Sequence, residues 1–318
     1  MTPSICPSND HISIAPSASG MPGISNDLSV AVVIASLGRP DLLDDIIARM
    51  AQQTRKPDLL LFSTVTPQDL PDSFVETDTV KAIFGPKGLT RQRNAALDYL
   101  GDRFDVIVFY DDDFVPSRFS VENAALFFRA HPEVAGATGN VLADGINNAG
   151  IGKEDAERIV ARYDESHEFS AAVERELVGL YGCNMAYRSS AIGNTRFDER
   201  LRLYAWQEDI DFAFALNTRG KIVKTRAFAG VHQGLKHGRT PGLRLGYSQV
   251  INPLYLAAKG TMPKGFALKL LLKNVLANHL KMFRPEPWVD RKGRAKGNWA
   301  GLFDALRGRL TPERIEDL

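Results

Sequence analysis

The 318 residues are 44% apolar, 24% charged and 9% aromatic, the make-up of a folded globular chain, which excludes a disordered tail protein, a collagen-like repeat and a disulfide miniprotein. Formal net charge is +1, so overall charge gives no reason to expect nucleic acid as a partner, but it hides an asymmetry: +6 over residues 261–318 against −5 over the rest. Two cysteines, Cys6 and Cys183, supply neither a disulfide framework nor a metal spacing and suit a reducing cytoplasm, and no apolar run approaches the ~18–20 residues that span a bilayer.

The first 28 residues are rich in Ser and Pro, and no Lys or Arg precedes Arg39. A secretory signal needs a basic start and a continuous apolar stretch, so residues 1–28 read as a disordered leader. From Leu28 the pattern changes. Residues 28–35 are nearly all apolar, as in a strand buried on both faces of a parallel sheet. After a Ser36-Leu37-Gly38-Arg39-Pro40 turn, Leu42, Leu43, Ile46, Ile47 and Met50 give helical spacing over 41–53. Strands are predicted at 59–62 and 80–84, a helix at 89–100, and a strand at 106–110 that runs into three aspartates. This alternation predicts β-α-β units and a doubly wound α/β sheet. Beyond residue 140 it weakens. Residues 144–170 read as a loop plus a surface helix, 178–187 as a strand and 207–218 as a helix. From Gly242 the pattern is helical, broken at Pro285 and Pro287. The chain thus divides into the leader, an α/β domain at 29–240 and a basic helical region at 241–318.

Three runs carry chemistry. Asp111-Asp112-Asp113 ends a buried strand, and ligand sites in open α/β sheets lie outside the carboxyl ends of strands. Adjacent carboxylates repel one another unless a cation neutralises them, and oxygen donors suit Mg²⁺ or Mn²⁺, which bridge to substrate phosphates. In Gly85-Pro86-Lys87-Gly88-Leu89-Thr90-Arg91-Gln92-Arg93-Asn94, a glycine-containing loop opens a helix. Lys87, Arg91 and Arg93 oppose the helix dipole there, and a phosphate-bearing ligand would give them a purpose. In Trp206-Gln207-Glu208-Asp209-Ile210-Asp211-Phe212, acids in a first helical turn complement the dipole. An aromatic followed by Glu-Asp also suits a sugar-binding wall with a carboxylate base.

Val-Val-Ile-Ala-Ser-Leu-Gly-Arg-Pro at 32–40, Arg-Gln-Arg-Asn at 91–94, Asp-Asp-Asp at 111–113, Gly-Cys-Asn-Met-Ala-Tyr-Arg at 182–188 and Gln-Glu-Asp-Ile-Asp-Phe at 207–212 occur in this order. Over residues 29–235 the chain resembles the family 2 glycosyltransferases with the A-type fold. That resemblance implies a mixed, mostly parallel nucleotide-diphospho-sugar transferase sheet, with 29–240 as the catalytic domain. It implies an inverting transfer from a nucleotide diphosphate sugar to a saccharide or lipid-linked saccharide, as in cell-surface or exopolysaccharide synthesis. Asp111 and Asp113 match the positions that hold Mn²⁺ or Mg²⁺, and His232 sits where relatives carry a histidine. Ser36, Arg39, Lys87, Arg91, Arg93, Asp111 and Asp112 fall on the nucleotide side. Asp209 matches the catalytic base, with Glu208 as its neighbour. One departure concerns the second strand, which the family commonly ends in acids. Here Ser63-Thr64-Val65-Thr66 follows, with no acid before Asp69, leaving the donor base open.

Two other readings compete. A sugar-phosphate nucleotidyltransferase opens with a G-x-G-T-R loop, which residues 36–40 do not supply. A non-catalytic nucleotide-binding protein of this fold has no use for both the metal acids and the Glu-Asp pair. In the basic C-terminal region, helical spacing puts Leu268, Leu271, Leu272, Val275 and Leu276 on one face beside Lys269 and Lys273, with Trp288 and Trp299 further on. This is read either as a helix docked on the catalytic domain or as a peripheral helix on the inner face of the cytoplasmic membrane.

Overall fold

The computed structural model describes residues 27–236 and 240–318, so the expected leader lies almost wholly outside the described residues. The apolar run becomes β1 (Val30–Ala35), flanked by β2 (Leu59–Thr64), β3 (Val80–Phe84) and β4 (Val106–Asp111) in the parallel order β3-β2-β1-β4. Residues 30–34 are all buried, which is why no alternation shows in the sequence. Helix α1 (Pro40–Ala51) follows β1 and inserts Leu43, Ile46 and Met50 into one apolar layer, with Val32, Ile34 and Phe62. Helix α2 (Leu89–Leu100) packs Leu97 and Leu100 into the layer on the other face, with Val33, Leu61 and Phe109.

The second half breaks the parallel pattern. Its elements are β5 (Phe114–Pro116), α3 (Ser120–Ala130), β6 (Val134–Asp144), α4 (Lys153–Glu165), β7 (Val173–Glu176), β8 (Asn184–Arg188), the single turn α5 (Ser189–Ile192), α6 (Glu208–Ala215) and β9 (Lys221–His232). Strand β8 lies antiparallel between β4 and β6, while β9 runs parallel to β6 and antiparallel to β5 and β7. Among the described residues this makes one mixed sheet of nine strands. Its register places His232 opposite both Phe114 and Asp144, which brings three distant segments to one point.

The strand expected over 178–187 begins only at Asn184. Residues before it are drawn onto α6 instead: Gly179 packs on Ile210, and the Gly182 N–H donates to Asp209. The helix expected over 207–218 spans Glu208–Ala215.

The C-terminal region forms α7 (Gly242–Lys259), α8 (Lys264–Lys281) and α9 (Arg291–Leu306), with Pro285 and Pro287 between the last two. The single apolar face expected on α8 is split. Ala267 packs inward with Leu256 and Met262 and Leu271 is buried, whereas Leu268, Leu272 and Leu276 face outward. Helix α7 ties the group to the sheet domain. Asn252 donates to the Trp206 carbonyl (2.8 Å), Tyr255 to Asp198 (2.7 Å), and Lys259 to Asp211 (2.8 Å). Among the described residues no helix is long and apolar enough to cross a membrane.

Candidate active site

The carboxyl ends of β1, β2 and β4 meet at one edge, and Gln92 of α2 fastens two of them. Its side-chain amide donates to the Ser36 (2.8 Å) and Ser63 (2.7 Å) carbonyls, while the Ser63 hydroxyl donates to the Gln92 carbonyl (2.7 Å). In the turn after β1, the Ser36 hydroxyl (2.7 Å) and the Arg39 guanidinium (2.8 Å) both donate to Asp112. Burial lifts the Asp112 carboxyl to about 6, even though Arg39 and Ser36 favour its charged form. Asp112 is thereby committed to holding the turn, and its two neighbours serve a different cluster.

Asp111, Asp113 and His232 each offer one donor atom, and these atoms lie within 4.8 Å of one another. Asp113 accepts from the Leu235 N–H (2.9 Å) and lies 3.3 Å from His232 Nε2. The far side of the ring is fixed: Nδ1 meets Asp144 at 2.9 Å, and Tyr181 donates to the other Asp144 oxygen, also at 2.9 Å. Burial opposes a charged imidazole, yet the bonds to Asp113 and Asp144 outweigh it and raise His232 to about 10. A cation between the two carboxylates would take the place of the Nε2 proton, and two carboxylates plus a neutral imidazole oriented by an outer carboxylate form a donor set that fits a divalent metal. The carboxylates suit Mg²⁺ or Mn²⁺, and the imidazole tilts the set towards Mn²⁺.

Arg93 joins this cluster to the Glu-Asp pair. The side chain is 2% exposed, packed 5.7 and 5.5 Å from the ring centres of Phe109 and Phe197. Its guanidinium donates to Glu208 (2.6 Å), to Asp111 (3.2 Å) and to the Gly182 carbonyl (3.3 Å). Glu208 is sealed in this pair. Asp209 is half-buried, and its two oxygens accept from the Gly182 (2.9 Å) and Ile210 (2.8 Å) N–H groups. Burial pushes both carboxyls up, and for Glu208 the adjacent Asp209 adds to the shift.

The approach to α6 is strained. Leu203, Ala205 and Gln207 hold φ of 59°, 54° and 81°, left-handed values that non-glycine residues seldom adopt. Leu89 N–H donates to the Leu203 carbonyl and Thr90 to that of Leu201, both at 3.0 Å, and Asn252 holds Trp206 from the other side.

Ser36, Arg39, Arg93, Asp111, Asp112, Asp113, Glu208, Asp209 and His232 therefore gather at this edge. Arg91 pairs instead with Glu199 (3.6 Å), and Lys87 is exposed on the loop before α2. Sequence reasoning passed over Gln92, Asp144 and Tyr181. It saw Asp69 only as an acid too late for the second strand, yet Asp69 folds back to accept from the Gly38 (2.7 Å), Val65 (3.1 Å) and Thr66 (2.8 Å) N–H groups.

No family model matches the chain, and no curated protein matches it in sequence. Solved structures do. TarS 1–349 from S. aureus matches with a TM-score of 0.52 at 14% identity, over 92% of this chain and 83% of that one. The same protein in complex with UDP-GlcNAc gives 0.51 at 13%, over 92% and 84%. GalNAc-T7 with UDP, GalNAc and Mn²⁺ gives 0.50 at 10% identity, over 91% of this chain but only 60% of that one. The fold is that of the GT-A glycosyltransferases. At these identities the likeness speaks for architecture. Within the GT-A sheet, Asp111 closes β4, His232 closes β9, and Glu208 and Asp209 open the helix before β9.

Proposed function

We propose that the protein is an inverting glycosyltransferase of the family 2 type. It would move a sugar from a nucleotide diphosphate donor to a hydroxyl of a saccharide or lipid-linked saccharide, in cell-surface or exopolysaccharide synthesis. One observation carries this reading. The buried Arg93 guanidinium bonds to Asp111 of the metal-type cluster and to Glu208 of the acidic pair, so groups suited to a diphosphate and to an acceptor lie one side chain apart. The GT-A neighbours seen with UDP-GlcNAc, or with UDP and Mn²⁺, support a nucleotide sugar and a divalent metal here too.

Asp111, Asp113 and His232 would hold Mn²⁺ or Mg²⁺, which when bound supplies positive charge that stabilises a departing diphosphate. Ser36 and Arg39 fix Asp112 and with it the turn beside the nucleotide. Asp209, aligned by two backbone N–H groups, accepts the proton of the acceptor hydroxyl as that oxygen bonds to the anomeric carbon. The bond from that carbon to the diphosphate oxygen breaks in the same displacement, so configuration inverts. Glu208 keeps Arg93 charged and in place. Asp69, whose oxygens are occupied by backbone N–H groups, is a loop fastener, so the donor base stays open.

A hydrolysis panel tests the reading: UDP-, GDP- and dTDP-sugars, each with Mn²⁺ or Mg²⁺. Slow, metal-dependent release of one nucleoside diphosphate is expected and names the base. Release from none of them contradicts the proposal, and pyrophosphate release from a nucleoside triphosphate plus a sugar phosphate makes the protein a nucleotidyltransferase.

A further inference from the structure

The three C-terminal helices bury a chain of amide side chains beside apolar ones such as Tyr247, Val250 and Leu256, and leave other large apolar side chains outside. In their interior, Gln249 of α7 donates to Asn274 of α8 (3.0 Å), and Asn278 donates to Gln249 (2.8 Å) and to Asn298 of α9 (3.0 Å). Asn298 in turn donates to the Gly246 carbonyl (2.7 Å), and Asn278 and Asn298 have no exposed surface. Helices α7 and α9 cross with backbones in contact at Gly246 and Gly297.

These other large apolar side chains face out. Leu268, Leu272, Leu276 and Leu280 recur every fourth residue along α8 and are 47–74% exposed; Phe283 extends the row at 81%. Trp299, Phe303 and Leu306 form the exposed row of α9, and His279 meets Trp299 edge to face at 5.7 Å, joining the two rows. Exposed apolar surface this continuous marks an interaction site. Lys269 and Lys273 stand exposed among the outward leucines, and residues 264–284 contain no acid.

We propose that this face of α8 and α9 lies in the plane of an anionic lipid bilayer. The leucines and aromatics would enter the boundary between headgroups and acyl chains, with the lysine ammonium groups at the headgroup phosphates. Charge selects this occupant over a second copy of the chain, since a two-fold contact through the same face would set lysines against lysines. Because Asn252 and Lys259 of α7 hold Trp206 and Asp211, docking fixes the height of α6 and its acidic pair above the lipid. The inference stands apart from the proposed sugar transfer, because it is read without a substrate.

The test is cosedimentation of the full chain with vesicles of phosphatidylcholine alone or containing phosphatidylglycerol. At low ionic strength the protein is expected to pellet only with the anionic vesicles. Lys269→Glu with Lys273→Glu should weaken that binding about tenfold or more, and Leu276→Glu with Leu280→Glu should abolish it. Thermal unfolding of each variant shows that the fold is kept. Quenching of tryptophan fluorescence by brominated anionic lipid, lost in Trp299→Phe, reads the same face with the leucines intact. Failure to pellet at low salt, equal binding to both vesicles, or full binding by the leucine variant overturns the proposal. So does a dimer in light scattering that the leucine variant dissociates while vesicles leave the protein unbound.

Discussion

Arg93 is a buried cation with two carboxylate partners, and its loss strands Glu208 without a counter-charge. Arg93→Met is therefore expected to cost about 3–5 kcal/mol in denaturant unfolding, and adding Glu208→Gln should restore part of that, since groups in contact couple. Asp209 sits differently: half-buried, and held only by backbone N–H groups. Asp209→Asn should lower turnover by ~10²–10⁴ with donor affinity little changed; kcat and donor Kd, measured separately, check this, and a large loss of affinity would move Asp209 to the nucleotide side. Asp69 offers a pH signature. Burial favours its neutral form, but the bonds from Thr66, Gly38 and Val65 prevail and hold its carboxyl below the ordinary value of 3.8. A depressed folded pKa means stabilisation that is full above 3.8 and fades as pH falls through the folded value. Asp69→Asn should cost about 1–3 kcal/mol at neutral pH, with the gap to the native chain closing in unfolding experiments below pH 3.8. The three aspartates, Arg93 and the Glu208–Asp209 pair were legible because each lies in a compact run beside an element boundary. Asp144 and Tyr181 were not. They reach His232 across 88 and 51 residues, and only the register of β6 on β9 and the turn at Gly182 bring them there.

At the level of elements, β1, β2, β4 and their helices could be read because strands buried on both faces are continuous apolar runs and amphipathic helices are periodic. Strand β8 was read only as the end of a longer strand over 178–187, and β5 and β7 were not read, since strands of three and four residues carry too little pattern. The two sides of α8 were read as one for a related reason. Periodicity finds an apolar stripe, but it cannot see that Asn278 is the residue turned inward. The α7–α9 crossing makes its own prediction. A Cβ on Gly297 would overlap the Leu243 carbonyl, so Gly297→Ala must push the helices apart, at about 1–3 kcal/mol. Gly265, near the start of α8, has open space, and Gly265→Ala should stabilise by up to about 1 kcal/mol. Thermal unfolding of the pair measures both signs.

For the molecule as a whole, the Asp111–Asp113–His232 cluster draws on β4, the turn to β5, and β9, so a metal held there would link segments far apart in the chain. Mn²⁺ is accordingly expected to raise the unfolding temperature of the full chain, with a stabilisation of about 2.7 kcal/mol at a hundredfold excess over Kd. Chelator should reverse the shift and Asp113→Asn should remove it; calorimetry with and without metal decides.

The support of α6 has a consequence in time. The sheet is complete in sequence at His232, but the side chains that brace the strained approach to Asp209, Asn252 and Lys259, come later. Synthesis from the amino terminus delivers the three aspartates, Arg93 and His232 first, and the brace about 1–5 s afterwards at ~5–20 residues per second. A nascent chain on the ribosome thus owns every member of the cluster while the footing of its acidic pair is still being made.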